Sequence, residues 1–255
     1  MMQTIGTGTG SLRTFGDWAL RQMGIRDSVG AAHVALRRWG LAPWRPLVPE
    51  ESFATCIDAA LDRLFAADRD HQFGDYLEFG VSRGTSMAAV FHVLRRRGID
   101  QNRLIGFDSF AGMPTGSEEE GWDAGAFASP LPLTRRHLRA KGVDLSAITL
   151  VKGWYSDTLT AATRANLTMS KASLVMVDCD TYSASVLALR FAAPLIRDRA
   201  VVVLDDWGWR AADGQPGQRE AFVEFLTDNP TLRAAPLPAY FEHARVFLVE
   251  RYEPH

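Results

Sequence analysis

The chain has 255 residues, enough for one substantial core, and its 47% hydrophobic and 23% charged residues are ordinary globular usage. A formal net charge of −2 argues against nucleic acid or an anionic membrane as a main partner. Two cysteines, Cys56 and Cys179, exclude a disulfide framework. No apolar run approaches the roughly 18 residues of a membrane span. The N-terminus lacks a basic region followed by an apolar core, so the default expectation is a cytoplasmic protein without a signal peptide.

Residues 1–50 read as an N-terminal helical extension. They open on a glycine-rich lead-in, Gly6-Thr7-Gly8-Thr9-Gly10-Ser11, and end in a turn-rich stretch containing Pro43, Pro46 and Pro49. From Phe53 to Ala67 the spacing of Phe53, Ile57, Leu61 and Leu64 predicts an amphipathic helix. Asp75 to Phe79 predicts a strand that enters a glycine-containing turn, with a helix from Thr85 to Arg97. Arg95-Arg96-Arg97 complements the dipole at that helix's C-terminus. A second strand, 104–107, closes at Asp108. Residues 111–133, rich in Gly, Pro and Glu, are too long for a plain connector and read as a lid or binding loop. A helix from Thr134 to Lys141 and a strand over 148–151 follow.

Two short apolar runs then close on acids. Leu174 to Val177 ends in Asp178-Cys179-Asp180, and Ala200 to Leu204 ends in Asp205-Asp206. Such runs read as buried parallel strands, with a helix over 185–195 between them. A helix over 217–226 and a strand over 245–249 complete the chain. Strands alternating with helices predict an α/β fold with a mostly parallel sheet, with room for an antiparallel edge. Ligands of such sheets sit beyond the carboxyl ends of the strands. Carboxylates converging there repel one another unless protons or a cation intervene, and a hard divalent ion with oxygen ligands suits them.

The turn Glu78-Phe79-Gly80-Val81-Ser82-Arg83-Gly84-Thr85-Ser86 is G-x-x-x-G preceded by an acid. It is not the G-x-G-x-x-G of dinucleotide sites, and a plain strand–helix turn shares its spacing. An acid at this strand end suits a ligand carrying positive charge, such as the amino and sulfonium groups of S-adenosylmethionine. Asp108, about 30 residues further on, stands where nucleotide folds place the acid that binds ribose hydroxyls, although Asp108-Ser109 also serves as a cap or turn.

Tyr76 to Val81, Asp108-Ser109-Phe110-Ala111-Gly112-Met113-Pro114, Gly153-Trp154-Tyr155-Ser156-Asp157-Thr158-Leu159 and the two acidic clusters occur in that order. Together they resemble the macrocin and mycinamicin family of O-methyltransferases, over about residues 76–225. The resemblance implies a Rossmann-like class I methyltransferase fold over 51–255, a seven-stranded, mostly parallel sheet with helices on both faces. It implies S-adenosylmethionine and a divalent metal, usually magnesium, as cofactors, and a hydroxyl of a sugar or other small natural product as acceptor. Residue by residue, it places Glu78, Gly80, Ser82, Gly84 and Ser86 at the methionine end of the cofactor. Asp108 and Ser109 fall at the ribose, and Gly153, Trp154 and Asp157 border the adenine. Asp178, Asp205 and Asp206 become metal ligands, with Asp178 also facing the cofactor and Asp180 in support. A lid histidine is the expected base, yet 111–133 holds none. His137 just beyond it and Asp205 are therefore the candidate catalytic bases. Trp207-Gly208-Trp209 replaces the family's hydroxyl-bearing aromatic after the second cluster, as an acceptor platform or a core wall. Self-association into a homo-oligomer is a further implication.

Two other readings compete. One is a metal-dependent phosphoryl or nucleotide hydrolase using the same aspartates, for which no P-loop or basic cradle is present. The other is a catalytically silent nucleoside-binding module.

Overall fold

The computed structural model describes residue 36 and residues 48–66, 71–210 and 214–252. The chain divides into two compact units, Met1–Pro43 and Trp44–His255, and only the second is described below. The predicted N-terminal extension lies almost wholly outside the described residues. No helix among the described residues is long and apolar enough to cross a membrane.

Helix α1 (Glu50–Ala66) starts three residues earlier than its apolar face predicts, with Glu50 and Glu51 in its first turn, where acids complement the helix dipole. Phe53, Ile57, Leu61 and Leu64 are all buried, contributing about 1.5–3 kcal/mol each on removal from water. Strand β1 (Asp75–Phe79), α2 (Thr85–Arg96), β2 (Leu104–Asp108), α3 (Leu131–Ala140) and β3 (Ile148–Lys152) follow. Two short helices, α4 (Tyr155–Thr158) and α5 (Ala161–Asn166), precede β4 (Ala172–Val177). Then come α6 (Tyr182–Ala192), β5 (Arg199–Leu204), α7 (Gln218–Asp228), β6 (Leu232–Leu237) and β7 (Arg245–Arg251). Arg97, which caps α2, does more than complement a dipole. Its guanidinium donates to Asp58 at 2.5 Å and Asp62 at 2.7 Å, tying α2 to α1.

One sheet of order β3-β2-β1-β4-β5-β7-β6 carries the chain, and β7 runs antiparallel to both of its neighbours. Alternate residues of the central strands serve opposite faces. Tyr76, Leu174, Met176, Val201 and Val203 pack with α1 and α2, whereas Leu77, Phe79, Val175, Val177, Val202 and Leu204 pack with α6 and α7. This is the expected class I arrangement of a seven-stranded, mostly parallel sheet covered on both faces. The order reverses between β1 and β4, which is the crevice-forming switch point of such sheets.

Register decides what lines that crevice. Phe79 pairs with Phe107 on one side and Val177 on the other, and Val177 pairs with Leu204. Gly80, Asp108, Asp178 and Asp205 are the next residues of four adjacent parallel strands, so they emerge together along one edge.

Candidate functional site

The turn after β1 is built from left-handed backbone. Gly80, Ser82 and Gly84 have φ of 95°, 47° and 83°. Ser82 is held there because its N–H donates to Asp108 Oδ2 at 2.8 Å, and its carbonyl accepts from Thr134 Oγ1 on α3 at 2.5 Å. The glycines make room for the protein itself. A Cβ on Gly80 would lie 1.6 Å from the Asp178 carbonyl oxygen, and one on Gly84 would lie 2.8 Å from Leu138 of α3. Asp178 N–H donates to the Phe79 carbonyl at 2.8 Å, completing the junction. The glycine turn and the first acid cluster are thus one piece of backbone.

Glu78 is fully buried on β1. Its oxygens accept from Tyr76 Oη at 2.7 Å and Ser86 Oγ at 2.6 Å. Burial pushes its carboxyl up to about 7 against the lowering effect of those two bonds. The Ser86 hydroxyl is therefore directed at Glu78, one step behind the crevice. Asp108 is also raised by burial, although its oxygens accept from the Ser82 and Phe110 amides. Ser109 closes the next turn by donating to the Gly112 carbonyl at 2.8 Å. Gly153 N–H donates to the Asp108 carbonyl at 3.0 Å and so places Trp154, which is 39% exposed, beside that strand end. Asp157 is exposed on α4 and accepts from Ser156 Oγ.

Asp178, Asp205 and Asp206 each offer a carboxylate oxygen, and these atoms all lie within 4.8 Å of one another. Burial is the main cause of their raised pKa values, and the remaining upward causes are carboxylates. Asp178 feels Asp205, Asp206, Asp180 and Glu78, and is held well above the usual range. Asp205 is pushed to about 8 by burial and by Asp206. Asp206 reaches only about 6, because amide donation from Asp180 and Cys179 offsets its burial. The Asp180 N–H bond to Asp206 Oδ2 is 2.8 Å, made from a left-handed residue with φ of 63°, so Asp180 braces Asp206 through its main chain. Gln218 of α7 accepts from the Asp206 N–H at 2.9 Å and donates to the Val177 carbonyl at 3.1 Å. An all-oxygen donor set whose pKa values no cation among the described residues lowers fits a hard divalent cation.

The long loop is fastened at two points. Glu120 accepts from both the N–H and the hydroxyl of Ser183 at the start of α6. Trp122 stacks on Trp209 with centroids 4.7 Å apart. These points follow the first and second acid clusters, so the loop is tied to the segments that leave both of them. The two tryptophans after Asp206 separate in role. Trp207 is a wall, packed on Phe222 and Phe247 at 5.9 and 5.4 Å, whereas Trp209 is 40% exposed.

His137 lies on α3, with its pKa lowered by burial and then by Lys141. Among the described residues, Glu50 and Arg83 also act on it. Tyr240, in the β6–β7 connection, donates its hydroxyl to Asp205 Oδ1. No motif or spacing singles it out in the sequence.

Residues 57–228 match the family model for macrocin O-methyltransferase (TylF). A curated relative from Streptomyces olivaceus, 8-demethyl-8-(2,3-dimethoxy-alpha-L-rhamnosyl)-tetracenomycin-C 4'-O-methyltransferase, is 30% identical over 52% of this chain and 53% of its own length. Mycinamicin III 3''-O-methyltransferase of Micromonospora griseorubida is 23% identical over 60% of this chain and 59% of its own. The chain thus matches little more than half the length of these relatives. Among solved structures, the O-methyltransferase NovP superposes with a TM-score of 0.63 at 18% identity, over 86% of this chain and 88% of that one, a likeness of fold.

Proposed function

The chain belongs to the macrocin O-methyltransferase family, and on that premise we propose that it methylates a hydroxyl of a sugar-bearing natural product. The methyl donor is S-adenosylmethionine, and a divalent cation, magnesium in the first instance, lies at Asp178, Asp205 and Asp206. The observation that carries this reading is the junction at Gly80, where the glycine turn and the acid triad share one strand edge, with nothing but backbone between them.

Bound S-adenosylmethionine supplies a methyl group on a sulfonium leaving group, and a bound divalent cation lowers the pKa of an acceptor hydroxyl. The chain's own task is to position and to take a proton. The turn from Gly80 to Gly84, with Glu78 and Ser86 behind it, receives the cationic methionine end. Asp108 and Ser109 face the ribose, and Gly153, Trp154 and Asp157 border the base. Asp205 takes the hydroxyl proton where the cation does not fully engage its carboxylate. The surroundings of His137 favour a structural place on α3 over that role. The acceptor enters beneath the fastened loop, between Trp122, Trp209 and the acids. Holding hydroxyl and methyl in line is worth a large share of the barrier, so the rigid shared edge matters as much as any one side chain.

Calorimetry tests the pairing of the two sites. S-adenosylmethionine is expected to bind the full chain, and magnesium to bind with or after it. Binding of magnesium alone, together with phosphoester hydrolysis, would move the acids to the hydrolase reading.

A further inference from the structure

Tyr240 stands 35 residues from Asp205 in the chain, and its hydroxyl donates to Asp205 Oδ1. Its ring sits edge-on to the fully buried Phe53 of α1, with centroids 5.0 Å apart at 83°, and against Phe241 at 5.0 Å. Two hydrogen bonds to main-chain carbonyls hold the same connection. Cys56 Sγ of α1 donates to the Pro238 carbonyl at 3.3 Å, and Gly208 N–H, two residues past Asp206, donates to the His243 carbonyl at 3.1 Å.

A carboxylate beside two others can relieve repulsion by turning away. Something must hold it in place without cancelling the charge that attracts a cation. A lysine or arginine would hold Asp205 but compete with the ion, whereas a phenol is neutral and donates a single hydrogen bond. We propose that Tyr240 is a positioning residue for Asp205. With Oδ1 occupied, the carboxylate keeps its other oxygen toward Asp178 and Asp206, and α1 reaches the site by bracing the β6–β7 connection. Outer partners of ligating carboxylates act in this way on metal affinity. The inference rests on the proposed use of the three acids as cation ligands.

The test is Tyr240→Phe in the full chain, which removes the hydroxyl and keeps the ring against Phe53. Chelator-stripped protein is titrated with Mn2+, and free ion is read by electron paramagnetic resonance. S-adenosylmethionine affinity and the thermal midpoint are measured on the same samples. The expected result is roughly tenfold weaker Mn2+ binding, with cofactor affinity and midpoint unchanged, and a parallel rise in the metal concentration for half-maximal turnover. Mn2+ affinity equal to that of the parent would overturn the role of Tyr240 and leave the metal reading standing. An equal loss of cofactor affinity would also overturn it, as damage to the fold. A parent chain that takes up no Mn2+ would remove the metal reading and this inference together.

Discussion

Each acid in the crevice carries a different load. Glu78 is satisfied by two hydroxyl donors, Asp108 by two amides, Asp206 by the Asp180 amide, and Asp205 by Tyr240, while burial and its carboxylate neighbours push Asp178 well up. These loads predict a pH dependence. The folded-state carboxyls of Asp206, Glu78 and Asp205 sit at about 6, 7 and 8, against ordinary values of 3.8 to 4.5. Across that window these carboxyls, with Asp178 and Asp180 raised in the same direction, keep protons that the unfolded chain has released. Stability therefore falls as pH rises, against the opposite effect of the single lowered imidazole of His137. Carboxyls lowered by folding, such as Glu220 and Asp198, act only below this window. Thermal melts in chelator are therefore expected to drop between about pH 5 and about pH 8. Added magnesium should raise the midpoint more at the upper end, where it no longer competes with protons. A midpoint that climbs across this window, or a larger magnesium gain at its acid end, contradicts these assignments.

At the scale of elements, what the sequence discloses tracks burial. β1, β2, β4 and β5 are buried along all but at most one residue, β4 and β5 with apolar runs, and their predicted bounds agree with those observed to within two residues. β6 escapes a reading by pattern because its residues, Leu232–Leu237, form no apolar or alternating run and include Pro236, which a sheet edge tolerates, whereas the partly exposed edge strand β3 keeps an apolar pattern. The short helices α4 and α5 bury no residue fully and so leave no periodic face to read. The acid triad is visible because strand ends are local. The contacts of Glu120 with Ser183 and Tyr240 with Asp205 join positions 63 and 35 residues apart, and no local pattern encodes them. The loop itself carries a prediction. Glu120→Ala should release it from α6 and raise the acceptor KM by about two- to tenfold, the range for a lost charge-assisted bond at a wet surface. Cofactor affinity should stay unchanged, and limited proteolysis should cut sooner within 111–129. A variant with parental KM and cleavage rate would show that the fastening has no part in acceptor binding.

Over the whole described unit, the fold places two demands on one edge. A doubly wound sheet opens its crevice at the β1–β4 switch, and register sets the glycine turn and the acids side by side there. The antiparallel β7 and the connection before it then supply Tyr240 from outside that doubly wound pattern, while α1 buttresses it. Family membership supports methyl transfer, and the three acids are the proposed place for a cation. The most direct measurement is transfer of a labelled methyl group from S-adenosylmethionine to a panel of glycosylated polyketides, with magnesium and with chelator. Asp205→Asn is run beside the parent chain. The account predicts a labelled sugar ether formed only with the divalent ion, and turnover lowered about a hundredfold or more in Asp205→Asn with cofactor binding retained. Transfer that proceeds equally in chelator, or survives Asp205→Asn intact, would contradict it.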